Sequence, residues 1–129
     1  MPKQRGKERR QYSRLPVKKG IVALLNLDET PIITKLIDIN RKGLAFSYTS
    51  IAKLPSDRLE IDVLIPDEER ETDIYLGTIQ ARIIEVHDLV RRLQPNIPRV
   101  RRYCVEFYDL EEEQQTCLSD CIDHAFHLS

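Results

Sequence analysis

Two arginines with three residues between them, Arg10 and Arg14, form an RxxxR pattern near the start of the chain, and Arg9 adds a third cation beside them. An arginine guanidinium binds a phosphate through two parallel hydrogen bonds, and its flat face can stack on an aromatic ring. A single RxxxR pattern is frequent by chance in a basic segment, so its meaning depends on what accompanies it.

Further along, Asp38, Asn40 and Gly43 form a DxNxxG pattern. In a local interpretation, Asp38 and Asn40 make side-chain hydrogen bonds within a turn while Gly43 supplies a positive φ. In a binding interpretation, the carboxylate of Asp38 accepts hydrogen bonds from a ligand, and Asn40 offers both donors and an acceptor. Taken by itself, the pattern favours the local interpretation.

The segment from Lys3 to Lys19 concentrates positive charge, because it holds eight cations but one acidic residue, Glu8, and carries about +7. The formal net charge of the whole chain is −1, so the residues after Lys19 sum to about −8. Residues 1–16 lack apolar periodicity, which predicts a flexible basic arm attached to an acidic body. A field of this kind attracts anions, and phosphates above all.

The sequence offers little for catalysis or for metal binding. Cys117, Cys121 and His124 are spaced along one predicted helix face, but the two cysteines also fall on its apolar side, where thiols commonly pack as small hydrophobic groups. No fourth ligand stands at metal spacing, and there is no nucleophile–histidine arrangement or glycine-rich phosphate loop. We therefore predict a protein that is not an enzyme and needs neither a metal nor a cofactor.

The cysteine content and the apolar runs indicate the compartment. Three cysteines without a spacing framework indicate reduced thiols and a reducing environment. No apolar run reaches the roughly 18 residues that a membrane helix needs, and no apolar stretch of a signal peptide follows the basic N-terminus. These observations predict a cytoplasmic protein without membrane insertion.

Residues 17–129 predict one all-β domain with a helix at its end. Six segments have the β-branched or alternating composition of strands, and turn-forming residues separate them. They are 20–27, 32–39, 44–49, 59–65, 74–86 and 102–108. Such a set favours a closed antiparallel barrel, since closure removes exposed strand edges. Gly77 lies inside the fifth segment and predicts a bend there.

A C-terminal α-helix is predicted at about residues 110–127, with Asp109 as its N-cap and glutamates in its first turn. Apolar residues recur along one face of this helix at helical spacing. They are Cys117, Leu118, Cys121, Ile122, Ala125 and Phe126. We expect this face to pack against an open end of the barrel.

The order of these pieces resembles the PilZ domain family over about residues 8–128: a basic arm with RxxxR, two strands, DxNxxG, further strands and a terminal helix. In that family the motifs are RxxxR and (D/N)xSxxG, and the domain is a six-stranded β-barrel that binds the bacterial second messenger cyclic di-GMP. Asn40 stands where the family has serine. The resemblance assigns these residues to the ligand site: Arg9, Arg10, Arg14, Asp38, Asn40 and Gly43.

The chemistry of cyclic di-GMP suits residues of these types. Its phosphates need cations, its guanines offer an O6/N7 edge to an arginine fork, and guanine N1–H and N2–H₂ can donate to Asp38. The resemblance implies a receptor whose arm folds over the barrel when the ligand bridges them, and whose new surface is recognised by an unidentified downstream protein. A homodimer is compatible with this interpretation. Other cations contribute either to the site or only to solubility: Arg41, Lys42, Arg91, Arg92 and Arg99–Arg102.

Two alternatives stay open at this level. One is a PilZ-like adaptor that has lost the ligand and acts through protein contacts, which the replacement at Asn40 would explain. The other is a small nucleic-acid-binding barrel whose arm tracks phosphates. The acidic body and an aromatic content of 6% disfavour nucleic acid, because stacking platforms are scarce.

Overall fold

The computed structural model of the chain describes residues 15–17, 19–67, 72–89 and 97–128, and the structural statements below concern these residues. They form seven strands followed by one helix. The elements are β1 (Leu15–Pro16), β2 (Ile21–Leu24), β3 (Ile32–Ile39), β4 (Gly43–Ser50), β5 (Arg58–Asp67), β6 (Thr72–Asp88), β7 (Arg99–Tyr108) and α1 (Glu112–Leu128).

Strands β2 to β7 form a closed antiparallel barrel of six strands, which confirms the predicted fold class. Their order is β3-β2-β5-β6-β7-β4, and β4 pairs back with β3 to close the ring. Closure gives each of these strands a neighbour on both sides, so the ring has no open edge.

The short strand β1 is an addition to the six predicted strands. Leu15 lies opposite Ile39, and Pro16 lies opposite Asp38. We had expected residues 15 and 16 to be the end of the arm. Instead, the first described residues pair with the last residues of β3.

The barrel interior is filled mainly by leucine, isoleucine and valine, as the absence of tryptophan requires. Phe46 and Tyr103 add two stacked rings whose centroids lie 5.2 Å apart. The Tyr103 hydroxyl accepts a hydrogen bond from the backbone N–H of Leu54 at 3.1 Å, so its polar end is satisfied. Each fully buried aliphatic side chain contributes about 1.5–3 kcal/mol to folding.

Strand β6 carries a bulge at the predicted bend. Against β5 it places Ile79 opposite Ile61 but Leu76 opposite Val63, so β6 has one extra residue around Gly77. Such an extra residue bends the strand and increases its twist. The extra residue lies where Gly77 predicts a bend.

A second bulge in β6 lies at Ile84, where Ile83 is opposite Val105 but Glu85 is opposite Cys104. The extra residue reverses the alternation of side chains for the rest of the strand. Val86 therefore packs against the core. Ile84 itself is 52% exposed, an unusual position for isoleucine.

The helix α1 begins at Glu112 rather than at about residue 110, and the prediction of Asp109 as its N-cap is wrong. Asp109 has a left-handed φ of 54°, which aspartate tolerates in the turn after β7. Glu111 directly precedes the helix, and its backbone N–H donates to Oε1 of Gln114 at 3.1 Å, as in half of a capping box. The Gln114 amide also donates to the carbonyl of Thr78 at 2.9 Å, which attaches α1 to β6.

The predicted apolar face of α1 packs on the barrel core over its first half. Its members there are buried or half-buried: Cys117, Leu118, Cys121 and Ile122. The side chains of His124, Ala125 and Phe126 lie outside the described part of the chain. Among the residues that are described, no helix has the length and apolar character needed to cross a membrane.

Candidate functional site

Asp38 stands on the outer face of the barrel because β3 carries one extra residue before it. Leu36 is opposite Phe46, whereas Asp38 is opposite Ala45, so Ile37 is the bulged residue. Leu36 and Ile39 are both fully buried in the core. The bulge thus turns Asp38 outward between two inward-facing residues.

The carboxylate of Asp38 is bound by an arginine from a distant part of the sequence. Nη2 of Arg102 donates to Oδ2 of Asp38 at 2.7 Å, and the two side chains are 29% and 13% exposed. A charge-assisted hydrogen bond of this length is among the stronger polar contacts in a protein. The local interpretation, in which Asp38 bonds within its own turn, does not describe this contact.

Asn40, in contrast, makes the turn contacts that the local interpretation predicts. Its Oδ1 accepts hydrogen bonds from the backbone N–H groups of Lys42 and Gly43, both at 2.8 Å. The backbone N–H of Asn40 also donates to the carbonyl of Gly43 at 2.9 Å. The side-chain oxygen is therefore used to shape the turn.

Gly43 is required by close packing and not by its backbone angle. None of the described glycines has a positive φ, so the expectation that Gly43 supplies one is wrong. A Cβ built on Gly43 would lie 2.0 Å from the carbonyl oxygen of Val105. The backbone N–H of Phe107 donates to the carbonyl of Lys42 at 2.8 Å, so the turn lies directly on β7. A side chain at position 43 would push the two strands apart.

These residues line a cavity of about 200 Å³ on the outer wall. Three of its members were predicted from the motif, Lys42 was named among the cations left open between the site and solubility, and the others were missed. The lining residues are Asp38, Asn40, Lys42, Gly43, Leu44, Ile84, Cys104, Val105 and Glu106. Exposed Ile84 supplies an apolar surface beside the polar groups. The cavity is smaller than the roughly 300–1,000 Å³ that enclose a drug-sized ligand.

The other cations named in the sequence have different surroundings. Arg41 pairs with Asp123 of α1. Arg101 is 3% exposed, its Nε lies 3.1 Å from Asp88, and it donates to the carbonyl of Ser50 at 3.1 Å. Arg99 also lies near Asp88, at 3.6 Å. Arg102, in contrast, reaches Asp38.

The RxxxR residues Arg9, Arg10 and Arg14 lie outside the described residues, as do Arg91 and Arg92. The structure does describe where the chain continues after Arg14. Strand β1 pairs with the end of β3 next to Asp38, and the backbone N–H of residue 17 donates to the carbonyl of residue 37 at 2.8 Å. The arm is therefore joined to the barrel at the DxNxxG turn.

A larger cavity, of about 610 Å³, lies where α1 meets β6. Glu112, Glu113 and Asp120 line it together with Ile74 and the helix cysteines. Three carboxylates repel an anion, so this cavity is poorly suited to a phosphate ligand in spite of its size. The smaller cavity at Asp38 is the better candidate.

Comparisons with known proteins agree with this architecture. The family model of the PilZ domain matches residues 8–124. The PilZ domain with c-di-GMP of YcgR from Escherichia coli is similar in structure, with a TM-score of 0.63, 14% identity and 90% of each chain covered. MrkH, described as a c-di-GMP-dependent transcription regulatory factor, gives a TM-score of 0.68 and 12% identity. That alignment covers 93% of this chain and 52% of MrkH. No curated protein sequence gives a significant match.

Proposed function

The chain belongs to the PilZ domain family, and on that premise we propose that it is a non-enzymatic receptor for cyclic di-GMP. The observation that carries the proposal is the outward-facing Asp38, held beside the turn of Asn40 and next to the strand that follows the basic arm. A structure similar to this one, the PilZ domain of YcgR at 14% identity, is described with c-di-GMP.

The outer face of the barrel around Asp38 offers a set of contacts that match one guanine. Asp38 is assigned to accept from guanine N1–H and N2–H₂, because the two oxygens of a carboxylate are acceptors at about four lone-pair sites. Asn40 donates through its amino group, since its oxygen is bound within the turn. Ile84 provides an apolar surface for the flat face of the base.

We assign the contacts to the phosphates and to the remaining surface of the ligand to residues of the basic arm. Arg9, Arg10 and Arg14 lie in the segment that carries about +7, whereas the rest of the chain carries about −8. An acidic barrel cannot hold two phosphates without added cations. The arm's loss of conformational freedom is offset by charge-assisted hydrogen bonds, each contributing about 1.5–3 kcal/mol.

The signal in this proposal is a change in the position of the arm. Binding draws residues 9–14 onto the outer face near Asp38 and Gly43, which creates a surface that a partner protein recognises. The partner is not identified by this chain. MrkH, a structurally similar protein, is described as a transcription regulatory factor, so relatives with this fold include proteins with such outputs.

Calorimetric titration of the full chain with cyclic di-GMP tests the proposal. We expect Arg10→Ala and Arg14→Ala each to weaken binding by about ten- to hundredfold, because each removes a bidentate contact. Asp38→Asn should weaken it as well, since the shape is kept while the charge and one acceptor are lost. Lys53→Ala, which alters an exposed cation between β4 and β5, is the control and should bind normally. Unchanged binding in all three site variants would show that the assignment is incorrect.

An adaptor that works without cyclic di-GMP is the second candidate, and one observation favours it. Asp38 is bound to Arg102 and the oxygen of Asn40 is bound to backbone, so part of the polar site is satisfied within the chain. This candidate predicts no heat of binding with cyclic di-GMP, while a pull-down still recovers a partner. A nucleic-acid-binding barrel predicts oligonucleotide binding with a steep salt dependence and no competition by cyclic di-GMP.

A further inference from the structure

Three potential metal ligands stand together on the outer face of the barrel. Glu85 and His87 lie on β6, and Cys104 lies on β7. A carboxylate oxygen, a ring nitrogen and the Sγ atom of these residues all lie within 4.8 Å of one another. We propose that the three residues bind a divalent transition-metal ion, with Zn²⁺ as the expected metal. This role goes beyond the binding of cyclic di-GMP and does not depend on it.

The bulge at Ile84 creates this cluster. Ile83, before the bulge, packs against the core, and the extra residue places Glu85 and His87 on the opposite, outer face. Glu85 is directly opposite Cys104 in the antiparallel pair, and His87 follows two residues later on the same face. Without the bulge, strict alternation through Ile84 would direct the carboxylate and the imidazole into the barrel. Bulges are known to re-aim side chains in this way at functional sites.

The distances suit tetrahedral coordination. Zinc bonds of about 2.0–2.3 Å to nitrogen, oxygen and sulfur place neighbouring ligand atoms roughly 3.3–3.7 Å apart. Nε2 of His87 now lies 2.9 Å from Oε2 of Glu85. The side chains of His87 and Glu85 are 57% and 60% exposed, so both can move the small distance that an inserted ion requires. Cys104 is 5% exposed and held within β7, so it provides the fixed ligand.

The charges around the cluster also suit a cation. A thiolate and a carboxylate together balance a divalent ion. Arg102 lies opposite His87 in the strand register, but its charge is neutralised by Asp38 at 2.7 Å. One nitrogen, one sulfur and one oxygen ligand favour Zn²⁺ or Co²⁺ over Mg²⁺ and Ca²⁺, which prefer oxygen alone. Three protein ligands leave the fourth position for water or for an added ligand.

The contrary interpretation is an exposed hydrogen-bonded pair, His87 with Glu85, lying above a cysteine that packs as a small hydrophobic group. Titration of the reduced, full-length protein with Co²⁺ separates the two. A thiolate bound to cobalt gives an intense charge-transfer absorption, whereas the hydrogen-bonded pair gives none. We expect one cobalt ion per chain, and we expect added Zn²⁺ to abolish the absorption by displacing cobalt.

Variants then locate the ion. Cys104→Ser should remove the charge-transfer absorption, and His87→Gln and Glu85→Gln should each weaken zinc binding by about tenfold or more in competition with a chromophoric chelator. The last two residues are exposed, so their replacement does not disturb the core. Cys117→Ser, which alters a helix thiol, is the control and should bind cobalt as the unmodified protein does.

Three results would overturn the proposal. They are no cobalt absorption in the unmodified protein, absorption that persists in Cys104→Ser, or absorption that is lost in Cys117→Ser, which would place the ion on the helix. Each measurement is made without cyclic di-GMP, so failure of the nucleotide proposal leaves this test intact.

Discussion

Arg102 of β7 reaches across β4 to place Nη2 2.7 Å from Oδ2 of Asp38 on β3. Asp38 and Arg102 pair in register with Ala45 and Ser47 of β4, so the contact passes diagonally over that strand. Ala45 is 1% exposed, and its small side chain leaves room for the arginine above it. The carboxylate of the DxNxxG motif is thus oriented by a residue that belongs to neither motif.

Replacing Arg102 should weaken cyclic di-GMP binding. Arg102→Ala removes the group that orients Asp38 and leaves a mostly buried carboxylate without that partner, which also costs folding about 1–3 kcal/mol. We expect a loss of affinity on the order of tenfold by calorimetry and a lower midpoint in thermal unfolding.

Arg58→Ala is the matched control for Arg102→Ala, because Arg58 is an exposed arginine on β5, away from Asp38. Its affinity and unfolding midpoint should equal those of the unmodified protein. Tighter binding by Arg102→Ala would mean that the arginine competes with the ligand for Asp38 instead of orienting it.

Gly43→Ala should destabilise the fold strongly, while Gly77→Ala should be tolerated. The new Cβ at position 43 would meet the Val105 carbonyl oxygen at 2.0 Å, and both groups belong to paired backbone. At position 77 the nearest atom to a new Cβ is Cε1 of Tyr75 at 4.0 Å. We expect a loss of more than about 2 kcal/mol in denaturant unfolding for the first variant and less than about 0.5 kcal/mol for the second. Equal effects would contradict the close-packing explanation.

Asn40→Asp should distinguish the role of the Asn40 oxygen in the turn from the role of its amino group in ligand binding. The substitution keeps an oxygen that can accept from Lys42 and Gly43, so the stability should change by less than about 0.5 kcal/mol. It removes the amino donor and adds a negative charge, so cyclic di-GMP affinity should fall on the order of tenfold.

Two further changes at position 40 complete this test. Asn40→Ser restores the residue of the family motif and should keep binding. Asn40→Ala removes the turn acceptor and should lower stability by about 1 kcal/mol. Full affinity in Asn40→Asp would show that the amide donates nothing to the ligand.

Tyr75 should ionise at a higher pH than an ordinary tyrosine. Its hydroxyl donates to Oδ2 of Asp62 at 2.6 Å, and this hydrogen bond, followed by desolvation and repulsion from the carboxylate, raises the pKa of Tyr75. The raised pKa means that the contact favours folding while the phenol is protonated and is lost as pH rises through the folded-state pKa. NMR titration of labelled tyrosines should show the shift, and Asp62→Asn should reduce it. A Tyr75 titration unaltered by Asp62→Asn would contradict the stated cause.

The six barrel strands could be predicted because β-branched composition and turn residues are local properties of the sequence. The bulges at Ile37 and Ile84 could not, since an extra residue in a strand has the same composition as its neighbours. For the same reason the exposure of Ile84 and the clustering of His87 with Cys104 were missed.

The partner of Asp38 was equally inaccessible to local reasoning, because Arg102 lies 64 residues away in sequence. One of three neighbouring arginines, Arg99, Arg101 and Arg102, had to be chosen, and the barrel register decides which one reaches the carboxylate. Asn40 shows the opposite case: its turn contacts lie within three residues, and the motif predicted them correctly.

The bulge at Ile37 determines which face of the barrel each later residue of β3 occupies. If β3 kept every residue but paired without this bulge, the following positions would each exchange sides: Asp38 would enter the apolar interior, and Ile39 would face water. Two proteins can therefore share the same motif residues and differ in whether those side chains are accessible to a nucleotide. The pairing register of β3 ahead of the motif is therefore a criterion for choosing receptors among distant relatives.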